Sequence, residues 1–129
     1  MPESVEYEID GRRTRTLEDF FAVVGEAVAG SNGYFGRNLD SFSDCLIGGY
    51  GTPEDGNFRF VWRSSATSRA SLGYAETIRQ LRIMIRNCHP DNRAAMRNDL
   101  ERAMRGEGPT VFDWIVRIFQ ARGVALILA

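Results

Sequence analysis

Asp40 and Asp44 stand four residues apart in a stretch, Leu39 to Leu46, whose apolar residues recur at helical spacing. On a helix that spacing puts the two carboxylates on one face, about 6 Å apart, while Leu39, Phe42 and Leu46 face elsewhere and bury. Like charges so placed cost an isolated helix on the order of a few tenths of a kcal/mol. No basic residue three or four positions away within this helix offsets them, apart from Arg37 near its start. The helix dipole alone would explain an acid in the first turn such as Asp40, but not Asp44 beyond it. An acidic pair beside Tyr34 and the glycines at 48 and 49 has the chemistry of a surface that receives a cation from outside.

The remaining reactive side chains are few. One histidine, His89, and two scattered cysteines, Cys45 and Cys88, cannot hold a first-row metal without carboxylate help. His89-Pro90 reads as a helix stop, and Cys88 lies on an apolar stripe, so neither they nor Asp91 make a convincing nucleophile and base. Both cysteines read as small buried residues in a reducing compartment rather than as a disulfide. All 16 basic residues are arginine. The absence of lysine excludes a phosphate-loop ATPase and Schiff-base chemistry, and the usage fits a GC-rich bacterial genome. No catalytic residue, metal or cofactor is expected.

The elements that must position the acidic pair can be read in order. A chain of 129 residues, 43% of them hydrophobic, is expected to form one domain over 1–129 with a core that needs no disulfide. No apolar run is long enough to span a membrane. The acidic, polar start is unlike a secretory signal, so a cytoplasmic location is expected. Ser4 to Ile9 alternates as an edge-like strand, and Thr16 caps a helix carrying Leu17, Phe20, Phe21, Val24 and Val28 that closes at Gly30. A Gly- and Asn-rich loop follows, and Asn38 caps the helix of the acidic pair. Phe58 to Arg63 reads as a strand and Ser64 to Ser71 as a polar stretch. Ile78, Leu81, Ile85 and Cys88 mark a helix stopped by Pro90. Asp91 or Asn92 caps the next helix, with Met96, Leu100 and Met104 inward. Thr110 and Asp113 cap another that ends at Gly123, and Val124 to Ala129 reads as a strand buried on both faces. Strands separated by helices imply an α/β fold with a small three-stranded parallel sheet, its strands near 4–9, 58–63 and 124–129.

The segment Tyr34-Phe35-Gly36-Arg37-Asn38-Leu39-Asp40-Ser41-Phe42-Ser43-Asp44-Cys45-Leu46 resembles the barstar family: an aromatic pair, Gly, a variable residue, Asn-Leu-Asp, three residues, then Asp-Cys-Leu. Gly48, Gly49 and Tyr50 follow in keeping with it. The first strand with its Asp-Gly turn, Phe58 to Trp62, and the C-terminal helix, glycine and strand resemble the family too. Residues 64–106 form a helical insertion relative to its shortest members, as in a longer bacterial subgroup with Cys-His-Pro and Gly-Pro-Thr-Val-Phe-Asp-Trp. The resemblance implies an intracellular inhibitor, monomeric when free, that blocks a small guanyl-type secreted ribonuclease with an acidic helix as phosphate mimic. It makes Asp44 the central carboxylate and Asp40 its support. Tyr34 becomes the aromatic that packs on the enzyme's catalytic histidine, and Asn38, Ser43, Ile47, Gly48 and Gly49 become further contacts. Two departures stand out: Ser43 occupies a frequent tryptophan position, and the family's C-terminal-helix glutamate falls on Ile118 or Arg117, leaving Asp113 as a weak substitute.

The charge distribution offers a second reading. Residues 1–58 hold 4 Arg against 11 Asp and Glu, while residues 59–129 hold 12 Arg against 6 acids. Arg79, Arg82 and Arg86 share one helix face, extended by Arg93, Arg97 and Arg105, and such a stripe could track RNA phosphates. No RNA-binding signature accompanies it, so a solvated face is the simpler interpretation and no direct nucleic-acid contact is expected.

Overall fold

The computed structural model describes residues 4–129; the reading of the first three residues as part of a polar start lies outside them. Three parallel strands, β1 (Val5–Asp10), β2 (Phe58–Arg63) and β3 (Ala125–Leu128), form one sheet in the order β1-β2-β3. Between β1 and β2 run α1 (Leu17–Ala29) and α2 (Leu39–Cys45). Between β2 and β3 run α3 (Ser65–Ser71), α4 (Tyr74–Asn87), α5 (Pro90–Met104) and α6 (Val111–Arg122). The α/β fold with a three-stranded parallel sheet is thus the one expected.

Strand alternation sorts the sheet's two faces. Phe58, Phe60 and Trp62 are buried, and Phe20, Phe35, Phe112 and Phe119 stack on Phe60 or Trp62 with ring centroids 4.9–6.0 Å apart. The other face carries exposed cross-strand pairs, Arg59 to Glu6 at 2.8 Å and Arg63 to Glu8 at 3.2 Å. Helices therefore cover one face only. That overturns the expectation that the last strand is buried on both faces: β3 is an edge, with Ala125, Ile127 and Leu128 exposed and Leu126 half-buried.

Three local readings also change. The polar stretch after β2 is helical, because Ser68 is buried and useful there: its hydroxyl accepts from Trp62 Nε1 at 2.9 Å and donates to Gly11 O at 2.8 Å. His89, not Asp91 or Asn92, caps α5, accepting the Asp91 N–H with Pro90 at the first helical position. Met104 is 58% exposed, and Ala103 takes the inward place beside half-buried Met96 and Leu100.

The inward face of α4 differs most from its apolar stripe. Its buried residues are Glu76, Thr77, Gln80 and Leu81. Two of the polar ones, Glu76 and Thr77, satisfy other helices' free N–H groups. Glu76 Oε2 accepts the Leu17 N–H of α1 at 2.8 Å, and Thr77 Oγ1 accepts the Val111 N–H of α6 at 2.9 Å. Arg79 Nε donates to Glu76 Oε1 at 2.6 Å, and Gln80 Nε2 donates to Glu76 Oε2 at 3.0 Å. Burial pushes the Glu76 carboxyl up, and these bonds outweigh it, holding the group below the usual carboxylate range.

Candidate functional site

α2 is only seven residues long, too short to hold itself together. Two devices fix it. Asn38 Oδ1 accepts the Ser41 N–H at 2.8 Å, while Ser41 Oγ accepts the Asn38 N–H at 3.1 Å and the Arg37 N–H at 2.9 Å. Below the helix, fully buried Phe42 meets Phe20, Phe35 and Phe119 at centroid distances of 5.1, 5.9 and 5.5 Å. Cys45 and Leu46 bury beside it. Burial and the neighbouring Asp44 push the Cys45 thiol up, which suits an inert core residue. Both cysteines are free; Cys88, half-buried, lies nearer the surface than its apolar stripe suggested.

The loop before α2 is held by close backbone approach. A Cβ on Gly36, at φ +91°, would lie 2.5 Å from Phe42 N, so the loop rests directly on the helix. At the loop's start, a Cβ on Gly25 of α1 would lie 2.2 Å from Gly33 O, and one on Gly33 2.3 Å from Gly25 O. A glycine inside a helix costs about 1 kcal/mol relative to alanine, and here it admits the loop. The result buries Phe35 and leaves Tyr34 half in solvent, with the Arg37 guanidinium 5.9 Å over its ring. After α2, Gly48 and Gly49 take φ of +115° and +86°, turning the chain so that Ile47 and Tyr50 project outward at 61% and 55% exposure.

Asp40 and Asp44 are both exposed, and no ion pair to Asp40 is present among the described residues. Asp44 is different. Arg122, the last residue of α6, donates from Nε to Ser43 Oγ at 2.9 Å and from Nη2 to Asp44 Oδ1 at 3.3 Å. The expectation of an unneutralised acidic pair is therefore corrected: the cation comes from another helix, 78 residues along the chain. The Asp44 side chain still has 67% of its surface in water. The Asp113 carboxylate accepts the Thr110 N–H at 2.9 Å as part of the cap of α6.

The eight expected contact residues, Tyr34, Asn38, Asp40, Ser43, Asp44, Ile47, Gly48 and Gly49, thus share α2 and its two flanking loops. Asn38 spends its carbonyl oxygen on the cap, Ser43 is engaged by Arg122, and Gly48 is half-buried. Tyr50 and Arg122 were missed as members of this surface. Tyr50's signal was its aromatic ring beside three glycines; Arg122 left no local signal. Among the described residues, no group of three or more His, Cys, Asp or Glu side chains converges as a metal site, and no helix is long and apolar enough to cross a membrane.

The Arg-rich stripe is broken. Arg79 donates to Glu18 as well as Glu76, both at 2.6 Å, and these bonds raise its already high pKa. It belongs to the joint between α1 and α4, leaving Arg82, Arg86 and Arg97 exposed around Ile85 and Leu100.

A three-stranded parallel sheet in sequential order, helices on one face and a short acidic helix pinned by its loops, is a barstar-like architecture. The family model Barstar (barnase inhibitor) matches residues 5–94, from β1 into α5, and the chain belongs to that family, whose members inhibit barnase-type ribonucleases. No curated protein and no solved structure matches the chain.

Proposed function

We propose that the protein inhibits a small guanyl-type ribonuclease by seating α2 in its active site, with the Asp44 carboxylate where the RNA phosphate would lie. One observation carries the reading. Asp40 and Asp44 face water on a helix whose other side is locked into the core, and exposed Tyr34, Ile47 and Tyr50 flank it. Carboxylates held on a rigid support, next to apolar and aromatic side chains that exclude water on contact, suit a cationic, phosphate-binding partner. Asp44 Oδ2 is the freer oxygen, since Oδ1 faces Arg122.

The residues assigned to contact are Tyr34, Asp40, Asp44, Ile47 and the Gly48–Gly49 backbone, with Asn38 and Ser43 in support. The pairing of β3 with β2 favours a single barstar-like domain over 1–129. Such an inhibitor acts in the cytoplasm of the cell that makes the nuclease, as a monomeric immunity protein. The test is a titration of a barnase-type ribonuclease with wild type, Asp44→Ala and Asp40→Ala. Tight inhibition that Asp44→Ala loses supports the mimic; equal inhibition by wild type and Asp44→Ala sinks it.

A further inference from the structure

A groove of about 510 Å³ opens where α1, α2, α4 and α5 meet. Leu17, Phe21, Leu39, Ile83, Met84 and Met96 give it apolar walls, and Asn38, Arg37 and Asp40 line its α2 end. Resting on the inhibitor reading above, we propose that the nuclease docks into this groove as well: an apolar loop of the enzyme enters it, with a basic neighbour on Asp40.

Three features identify the occupant. The groove is continuous with the acidic helix, since Asn38, Leu39 and Asp40 belong to both, so a partner seated on α2 covers its mouth. Asp40 suits the same partner: it has no ion pair among the described residues and can receive a basic group beside Arg37, whereas Glu18 is already paired with Arg79. Its walls suit an apolar loop, because the volume is that of a small binding cleft and two methionines can adapt to what enters. The α4–α5 hairpin then has a role in the complex as the groove's far wall. Arg82, Arg86 and Arg97 lie around a different depression, lined by Ile85 and Leu100, and stay outside the contact.

The experiment starts from a barnase-type ribonuclease that wild type inhibits, so failure of the inhibitor reading appears at that first step and overturns both proposals. Failure of the groove alone appears later. The chain is labelled at its methionine methyls and titrated with that enzyme. The Met84 and Met96 resonances are expected to shift on saturation while exposed Met104, outside the groove, stays put. In parallel, Met96→Glu is expected to weaken binding by about tenfold or more while melting like wild type. Unmoved Met84 and Met96 methyls would overturn the groove, as would wild-type affinity in a folded Met96→Glu. Shifts produced by concentrating the chain without enzyme would assign the groove to a second copy and overturn it equally.

Discussion

The guanidinium of Arg122 bridges Ser43 and Asp44, tying the end of α6 to the acidic face of α2. Because both side chains are partly in water, the pair contributes about 0–1 kcal/mol to stability. On the proposed mechanism its larger effect is on the field an approaching cationic enzyme would meet. Removing the positive charge deepens the negative potential at Asp44 without touching the core. Arg122→Ala is therefore expected to raise the association rate about two- to fivefold at low salt, with the gain fading as salt rises. Stopped-flow mixing at several ionic strengths checks this. A slower association would mean that Arg122 itself meets an acid on the enzyme.

Asp44 carries the sharpest expectation. On the proposed mechanism Asp44 is bound against arginine and shielded from water, so its loss would leave the enzyme's cation buried and unpaired. Hot-spot losses start at about 2 kcal/mol, and the barnase–barstar pair is a standard example of them. Asp44→Ala is expected to lose more than that, mostly through faster dissociation, and Asp40→Ala less. The free protein should melt within about 0.5 kcal/mol of wild type in either case, because the sites are exposed and relief of repulsion offsets the lost Arg122 pair. Surface-binding kinetics and thermal melts separate the two effects.

Gly36 is expected to be irreplaceable. A methyl there meets backbone atoms of Phe42 at 2.5 and 2.6 Å, and φ of +91° disfavours any L side chain. Gly36→Ala should cost about 2–4 kcal/mol by denaturant unfolding and displace Tyr34 relative to α2. Cys45→Ala, by contrast, removes one small group from the core and should cost about 1–2 kcal/mol with inhibition intact. Cys88→Ala, half-exposed, should cost less still.

Much of this was legible because it is local. Strand alternation, the Thr16, Asn38 and Thr110 caps and the Asp40–Asp44 spacing each involve residues within a few positions, and the sheet followed from their order. What escaped was long-range or polar. Glu76 and Thr77 bury because they cap α1 and α6, a reason no periodicity contains. Arg122 reaches Asp44 only after β3 brings α6 back over the sheet. β3 looked doubly buried because four of the chain's last six residues are large and apolar, while the absence of helices on the second face is a fact of the whole sheet. The Arg79, Arg82 and Arg86 stripe mixed one structural residue with two surface ones.

That separation redefines the test of the Arg-rich half. Arg79 stays, because changing it would unfasten α1 from α4. Arg82, Arg86 and Arg97 changed together to Gln should leave ribonuclease inhibition within about twofold, since a cationic enzyme gains nothing from them. RNA should show no retention by wild type in a gel shift at moderate salt. Strong retention that the triple variant loses would move the binding surface to α4 and α5.

The joint between α1 and α4 makes stability depend on acid. Glu76 is 6% exposed and accepts the Leu17 N–H, Arg79 and Gln80 together. Its carboxyl titrates below the ordinary 4.5, so the folded state holds its proton less readily than the unfolded chain. The stability it contributes is then complete above about pH 4.5 and is lost as pH falls through the lowered value. Protonation takes an acceptor from Arg79, and Glu18, which shares that arginine at 2.6 Å, cannot replace the bond to Leu17. Glu76→Gln keeps the shape and removes the titration, so its stability between pH 5 and pH 3 should fall less steeply than wild type's. Glu76→Ala also orphans the Leu17 N–H and should cost about 2–4 kcal/mol at pH 7. Urea unfolding of the three proteins across that range checks both. Parallel pH profiles for wild type and Glu76→Gln would show that other carboxylates govern the acid limb.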